Sequence, residues 1–378
     1  MNIVYAKKFR LPDQSANMVQ AINMVSSLVS NGALVSSLIS FADEIPDRRL
    51  YLQKTYGLSG NSLGNMTFIS KRARGLRYSL WLIRCIFCQP AIPVIFTREN
   101  TELTKALRLR FISRTQLTIV HEVHKTPSFG TSDKPSIQKN DLNYYKKLSQ
   151  ANGLIFIDKN LRNRVLPKLN TETPSLVAPS GVNISAFSSR NMNLPSSEIV
   201  LGYFGNITEE KGVFLLAEAL HYLPKNYTLK CIGRVSPETR LEMLRRIGND
   251  TKRINFTGYL NPADLPNAMS GVHISVIPSI SHDKFLSPLK LAESLALGLP
   301  IVCTPVEHLK SLVENEKHAI FAKSFEPKDL AHAISKLGNA PQALSQMSIK
   351  NRAHAQLFSW DARAKHIIEF IKSLPVRR

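Results

Sequence analysis

Four short apolar runs in the second half of the chain each stop at a glycine or a proline. They are EIVLGYF before Gly205, YTLKCI before Gly233, INFT before Gly258 and VHISVI before Pro278. Runs of this length, rich in Val, Ile and aromatic residues, read as strands. Between and after them, at 211–221, 264–269 and 289–297, apolar residues recur at helical spacing, and IVC at 301–303 reads as a further strand. Short strands that alternate with helices favour a parallel sheet covered by helices on both faces.

The first half has the same alternation. Strands are predicted at 2–6, 92–97, 117–124, 153–157 and 176–178, and helices at 17–30 and 141–150. Asn31-Gly32 closes the first helix as a C-cap pair. The two series are separated at 181–197 by GVNISAFSSRNMNLPSS, which is polar and poor in periodicity. A last amphipathic helix is predicted at 360–374. The expected class is α/β, with two Rossmann-like domains facing a cleft. A chain of 378 residues suits two domains with full-sized cores.

The charge is lopsided. Lys and Arg number 49 against 28 Asp and Glu, a net +21, which implies an anionic partner. Residues 1–180 hold 25 of these bases and 11 of the acids. The densest stretch, 71–114, has 10 bases with only Glu99 and Glu102 against them. The four cysteines make no disulfide framework, and Cys85 and Cys88 in LIRCIFCQP are expected to pack in the core. No run reaches the ~18 apolar residues that a spanning helix needs. NIVYA followed by KKFR is the wrong order for a signal peptide.

Ligands of open α/β sheets bind at the carboxyl ends of strands. LGYFGNITEEKG at 201–212 delivers a glycine, then Lys211-Gly212 at the head of a helix. A helix N-terminus with a lysine suits phosphate, although an ordinary βα turn with a surface lysine has the same form. GxGxxG and GxxxxGK[ST] are absent, so neither a simple dinucleotide fold nor a P-loop is supported. SPLKLAESLALGLP at 287–300 places Lys290 in the first turn of a helix that Pro288 can open, with Glu293 one turn on along the same face. A glutamate there can accept two hydroxyls of a ribose, and a lysine can neutralise a diphosphate. The alternative is a surface ion pair at i,i+3. The neighbours Leu289, Leu291, Ala292, Leu295 and Ala296 argue for a buried helix, where an idle pair is costly.

With these stretches, the chain resembles the retaining glycosyltransferases of family 4, which have the GT-B fold. GYFGNITEEKGVFLLAEAL resembles the strand, turn and helix that open their donor domain. SPLKLAESLALGLPIVCTP resembles their donor-site signature. FTREN, TIVHEVHKTP, LIFIDKNL, VAPSGVNISAF, LKCIGR, INFTGYL and ISVIPS follow in the family's order, and FSWDARAKHI resembles the closing helix. The resemblance covers nearly the whole chain. It implies an acceptor-binding domain at 1–185, a nucleotide-sugar-binding domain at 186–358 and a crossover helix at 359–378 that returns to the first domain.

The resemblance also implies roles. Glu293 corresponds to the glutamate that holds the ribose, and Lys211 to the lysine that holds the donor diphosphate. Gly205, Asn206, Gly212, Ser287, Leu289 and Lys290 would line the phosphates and the transferred sugar. Arg234 beside Gly233, with 256–259, would border the base. His124 corresponds to the catalytic histidine that approaches the donor sugar. His121 is its rival, but an offset of three along a strand puts the two on opposite faces, and the strand end favours His124. Two positions depart from the family. Phe285 stands where an acid that touches sugar hydroxyls is common, with Asp283 or backbone groups as substitutes. Asn206 stands where an arginine is common, with Lys290 or Arg234 to compensate. The loop RLPDQSANMVQ lacks paired glycines, and Ser15 and Asn17 are expected to meet the acceptor.

The chain has no D-x-D, so an enzyme without metal or other cofactor is expected, stabilising the departing diphosphate with fixed cations and helix dipoles. The expected function is transfer of a sugar from a nucleotide sugar to a glycan or lipid-linked acceptor in bacterial surface polysaccharide or lipopolysaccharide synthesis. Alternatives are another GT-B sugar-nucleotide enzyme of epimerase or phosphorylase type, or a nucleic-acid-binding protein. The last lacks any nucleic-acid motif. KRARGLRYSLWLIRCIF and LTKALRLRFISR interleave bases with apolar residues. They suggest contact with an anionic membrane surface, hence a cytoplasmic, peripheral protein at the inner face of the membrane.

Overall fold

The structure, a computed structural model, describes residues 1–375 apart from 14, 42–44, 46, 57, 59–64, 71–75, 89–91, 115, 125–134, 188–196, 262 and 281–288. Ser287, Pro288, Phe285, Asp283 and Lys71 therefore lie outside the described residues, as does much of the polar stretch at 181–197. The chain divides into two compact units. One is Met1–Gly181 with Trp360–Arg378, and the other is Val182–Ser359.

The first unit holds β1 (Asn2–Ala6), β2 (Phe9–Leu11), β3 (Leu34–Phe41), β4 (Asn65–Ser70), β5 (Val94–Thr97), β6 (Ile119–Val123), β7 (Gly153–Phe156) and β8 (Ser175–Val177). All pair in parallel, in the order β3-β1-β5-β6-β7-β8, and both β2 and β4 pair with β3. β1 lies beside the start of β3 and β2 beside its end, so β2 prolongs β1 and β4 takes the other edge. The inner strands β1, β5, β6 and β7 are buried at nearly every position, as strands covered on both faces are. β6, IVHEV, is buried at all five positions, which forces His121 and Glu122 to find partners inside. Helix Trp360–Ser373 packs on helix Ala16–Ser30 within this unit. A Cβ on Gly181 would meet the ring and backbone of Trp360 at 2.8 Å, so the chain passes tightly under the returning helix.

The second unit holds β9 (Ile199–Phe204), β10 (Tyr227–Ile232), β11 (Ile254–Gly258), β12 (Ile274–Ile277), β13 (Ile301–Cys303) and β14 (Ile320–Phe321). Their order is β11-β10-β9-β12-β13-β14, all parallel. This is the doubly wound order, in which the chain reverses between β9 and β12. One core cluster joins Leu216, Met243, Ile334 and Met347, and another joins Val272, Leu291, Leu295 and Phe358. Such two-sided packing is what the alternation of strand and helix requires.

Among the described residues, no helix is long and apolar enough to cross a membrane. One expectation is corrected. Cys85 packs in the core, but Cys88 is exposed, because it lies past the last buried turn of helix Leu76–Phe87.

Candidate functional site

In the second unit Gly205, Lys211, Gly212 and Lys290 lie around the switch point between β9 and β12. β9 ends at Gly205, which has φ +102°. A Cβ there would come within 2.8 Å of Lys290 Cε. Only glycine lets the lysine lie across the strand end in this way. Asn206 is exposed, and its carbonyl accepts from the Tyr203 hydroxyl at 2.7 Å. A short 3-10 turn, Glu209–Lys211, then leads through Gly212 to helix Val213–Ala219. Gly212 has φ +77°, and a Cβ on it would lie 1.6 Å from the Pro278 carbonyl oxygen. That contact ties the Lys211 turn to the end of β12.

Helix Leu289–Ala296 brings Leu289, Lys290 and Glu293 to the same place. Among the described residues, no ion pair joins Lys290 to Glu293, so the i,i+3 pair weighed from sequence does not form. Lys290 Nζ instead donates to the Tyr203 hydroxyl at 2.5 Å and lies 3.9 Å from the centre of that ring. Burial, and then the charge of Lys211, push the Lys290 ammonium down to about 7. Burial pushes the Glu293 carboxyl up to about 8, against the pull of Lys290. Both residues are half-buried. A helix N-terminus and two lysines near enough to repel each other suit a multiply charged anion. Arg234 is exposed beside Gly233, and its guanidinium lies 4.5 Å from the centre of the Tyr259 ring, a flat platform at the neighbouring strand end.

In the first unit, β6 runs out at Val123, and His124 follows with a side chain 21% exposed. His121 is wholly buried. It meets Thr97 Oγ1 at 2.8 Å and the Tyr144 hydroxyl at 3.1 Å, a structural role. His124 sits over a buried charge cluster that sequence reading left without a role. Its Nε2 lies 2.8 Å from Glu122 Oε1. The same carboxylate oxygen accepts from Arg363 Nη2 at 2.7 Å, and Arg98 stands 4.0 Å from Oε2. Despite its burial, the two guanidiniums hold the Glu122 carboxyl well below the usual range. Burial, with Arg98, pushes the His124 imidazole down to about 4, so it is neutral at physiological pH. The signals were present in FTREN, VHEVH and WDARAKHI, but they become a cluster only once the fold joins them. Ser15 caps helix Ala16–Ser30, its Oγ accepting from the Met18 amide at 3.4 Å, and Asn17 is exposed on the first turn. Among the described residues, no three His, Cys, Asp or Glu side chains gather as a metal site would require.

Residues 198–339 match the family described as glycosyl transferases group 1. Over 197 residues the chain is 25% identical to the D-inositol 3-phosphate glycosyltransferase of Corynebacterium urealyticum, taking in 49% of this chain and 46% of that one. The chain spans about half the length of the curated relatives it matches. In structure it is similar to Anabaena HepE in complex with UDP and glucose. The TM-score is 0.73 at 16% identity, over 98% of this chain and 99% of that one. It is also similar to WaaG, a glycosyltransferase involved in lipopolysaccharide biosynthesis, with a TM-score of 0.67 at 12% identity over 99% and 100% of the two chains. The chain has the GT-B fold, and the match to glycosyl transferases group 1 lies within its second unit.

Proposed function

We propose that this chain is a glycosyltransferase that moves a sugar from a nucleotide-sugar donor to a glycan or lipid-linked acceptor. As in family 4, the anomeric configuration would be retained and no metal used. The observation that carries this reading is the convergence of Lys211 and Lys290 at the Gly205 strand end, with Glu293 one turn beyond. In the reaction the bond from the anomeric carbon to the diphosphate oxygen breaks, and a bond to the acceptor oxygen forms on the same face. The acceptor proton passes to the departing diphosphate. The two lysines and the amides of the helix N-terminus stabilise the charge that grows there. Glu293 hydrogen-bonds the ribose, Arg234 borders the base, and His124 is the histidine that the likeness to family 4 assigns to the reaction.

The group 1 match supports this reading, as does the similarity to HepE, which is seen with UDP and glucose. The likeness to WaaG favours a place in bacterial surface polysaccharide or lipopolysaccharide synthesis. Helix Leu76–Phe87 supports a peripheral position on the inner face of the cell membrane. Its outer side exposes Leu80, Ile83 and Phe87 together with Arg77 and Arg84, a mixed surface that suits anionic lipid. A thermal-shift panel of nucleotide sugars and their nucleoside diphosphates tests the reading. At least one diphosphate is expected to raise the melting temperature, and no response to any of them would contradict it.

A further inference from the structure

The buried cluster beneath His124 draws on four separate parts of the first unit. Arg98 follows β5, Glu122 lies in β6, Gln20 and Met24 come from helix Ala16–Ser30, and Arg363 comes from helix Trp360–Ser373. Arg363 is 4% exposed. It donates through Nε to the Ala178 carbonyl at 3.1 Å and through Nη1 to Met24 Sδ at 2.7 Å, as well as to Glu122. Arg98 Nη2 donates to Gln20 Oε1 at 2.7 Å and lies 3.5 Å from His124 Nδ1. Three atoms at the centre, Arg98 Nε, Glu122 Oε2 and His124 Nε2, are buried without a hydrogen bond among the described residues. The 2.8 Å approach of Nε2 to Glu122 is thus close but poorly aligned. Three underused polar atoms at one point in a native interior call for an explanation.

We propose that Glu122 and Arg363 are positioning residues that fix the tautomer and direction of the His124 ring. The inference rests on the reading of His124 as the histidine of the reaction. An ionised carboxylate only accepts, and a bare ring nitrogen 2.8 Å from it would be repelled, so that nitrogen carries the proton. That makes Nε2 the N–H and leaves Nδ1 with its lone pair. Arg98 is the only group that meets Nδ1 among the described residues, at the long distance of 3.5 Å. A substrate hydroxyl can displace that weak contact and donate to Nδ1. Arg363 keeps Glu122 ionised beneath the ring, so the returning helix takes part in the site through this one side chain.

The charged and titratable groups around the ring are Arg98, Glu122, His121, Tyr5 and Arg363, and two of the cations disfavour a third positive charge. Removing Arg363 should therefore let His124 take a proton more easily.

Two-bond nitrogen–proton NMR of the full chain with labelled histidine reads this directly. In the wild-type protein His124 is expected as the single Nε2–H tautomer at neutral pH, with a titration midpoint near 4. Glu122→Gln offers either an oxygen or an amide N–H, so both tautomers are expected. Arg363→Gln should raise the midpoint only in part, because burial and Arg98 still hold it below that of an ordinary histidine, and Arg363→Lys should hold it low. A wild-type Nδ1–H tautomer would overturn the proposal even if no variant folds. So would a single Nε2–H form that persists in Glu122→Gln, or a midpoint that Arg363→Gln leaves in place. Nucleotide binding by the second unit is a separate readout: its absence would count against the glycosyltransferase reading and leave the tautomer result standing.

Discussion

Lys290 and Glu293 were legible as a pair because helical spacing sets them on one face among apolar residues. Their partner Tyr203 was not, since GYF in a strand reads as plain core. The pair has a testable consequence. A bound diphosphate favours charged Lys290 and raises its pKa from about 7. Between the free and bound values, binding takes up a proton, so affinity should fall as pH rises above 7, by at most about tenfold per unit for one proton. Calorimetry in buffers of different ionisation enthalpy measures that uptake, and heats independent of buffer at pH 8 would contradict it. Gly205→Ala should displace Lys290 and strain a left-handed residue. Nucleotide affinity is expected to fall by roughly tenfold or more, the loss of one charge-assisted contact.

At the scale of elements, the strands that were easiest to read are the continuous apolar ones, such as β7 and β12. β3 escaped because LVSSLISF puts two serines in its middle, and Ser37 is nevertheless fully buried. Helices Pro237–Ile247 and Pro327–Gly338 each begin with proline at the first turn, a start signal that was present and not used. Two joints between elements should be fragile. Gly212→Ala drives a Cβ into the Pro278 carbonyl at positive φ, and no side-chain rotation relieves a clash with backbone. A loss of about 3 kcal/mol or more is expected in urea unfolding of the full chain. Arg363→Met leaves Glu122 buried with Arg98 as its remaining guanidinium partner, at 4.0 Å. That should cost about 3–5 kcal/mol, the usual penalty for breaking a buried pair. Stability unchanged in either variant would contradict the packing described.

For the whole molecule, the alternation of strands and helices carried the architecture, and the restart of that pattern marked the second Rossmann-like unit. The candidate site residues were legible where one helix carries them, at Lys290 and Glu293. They were illegible where four chain segments must meet, as around Glu122, because sequence spacing holds no information on that meeting. The net +21 is a property of the whole chain, and it bears on the proposed membrane contact. Flotation with liposomes should succeed with anionic lipid, weaken with salt, and weaken again in Leu80→Ser/Phe87→Ser. Equal binding to neutral vesicles would count against that contact. In the proposed reaction the Gly205 strand end grips a nucleoside diphosphate through Lys211 and Lys290. Calorimetric titration of a nucleoside diphosphate panel, UDP included, into wild-type protein and the Lys211→Met and Lys290→Met variants tests it most directly. At least one diphosphate is expected to bind the wild type and to lose tenfold or more in each variant, about 1.4 kcal/mol apiece. Binding of equal strength in all three proteins, or none to the wild type, would contradict the claim.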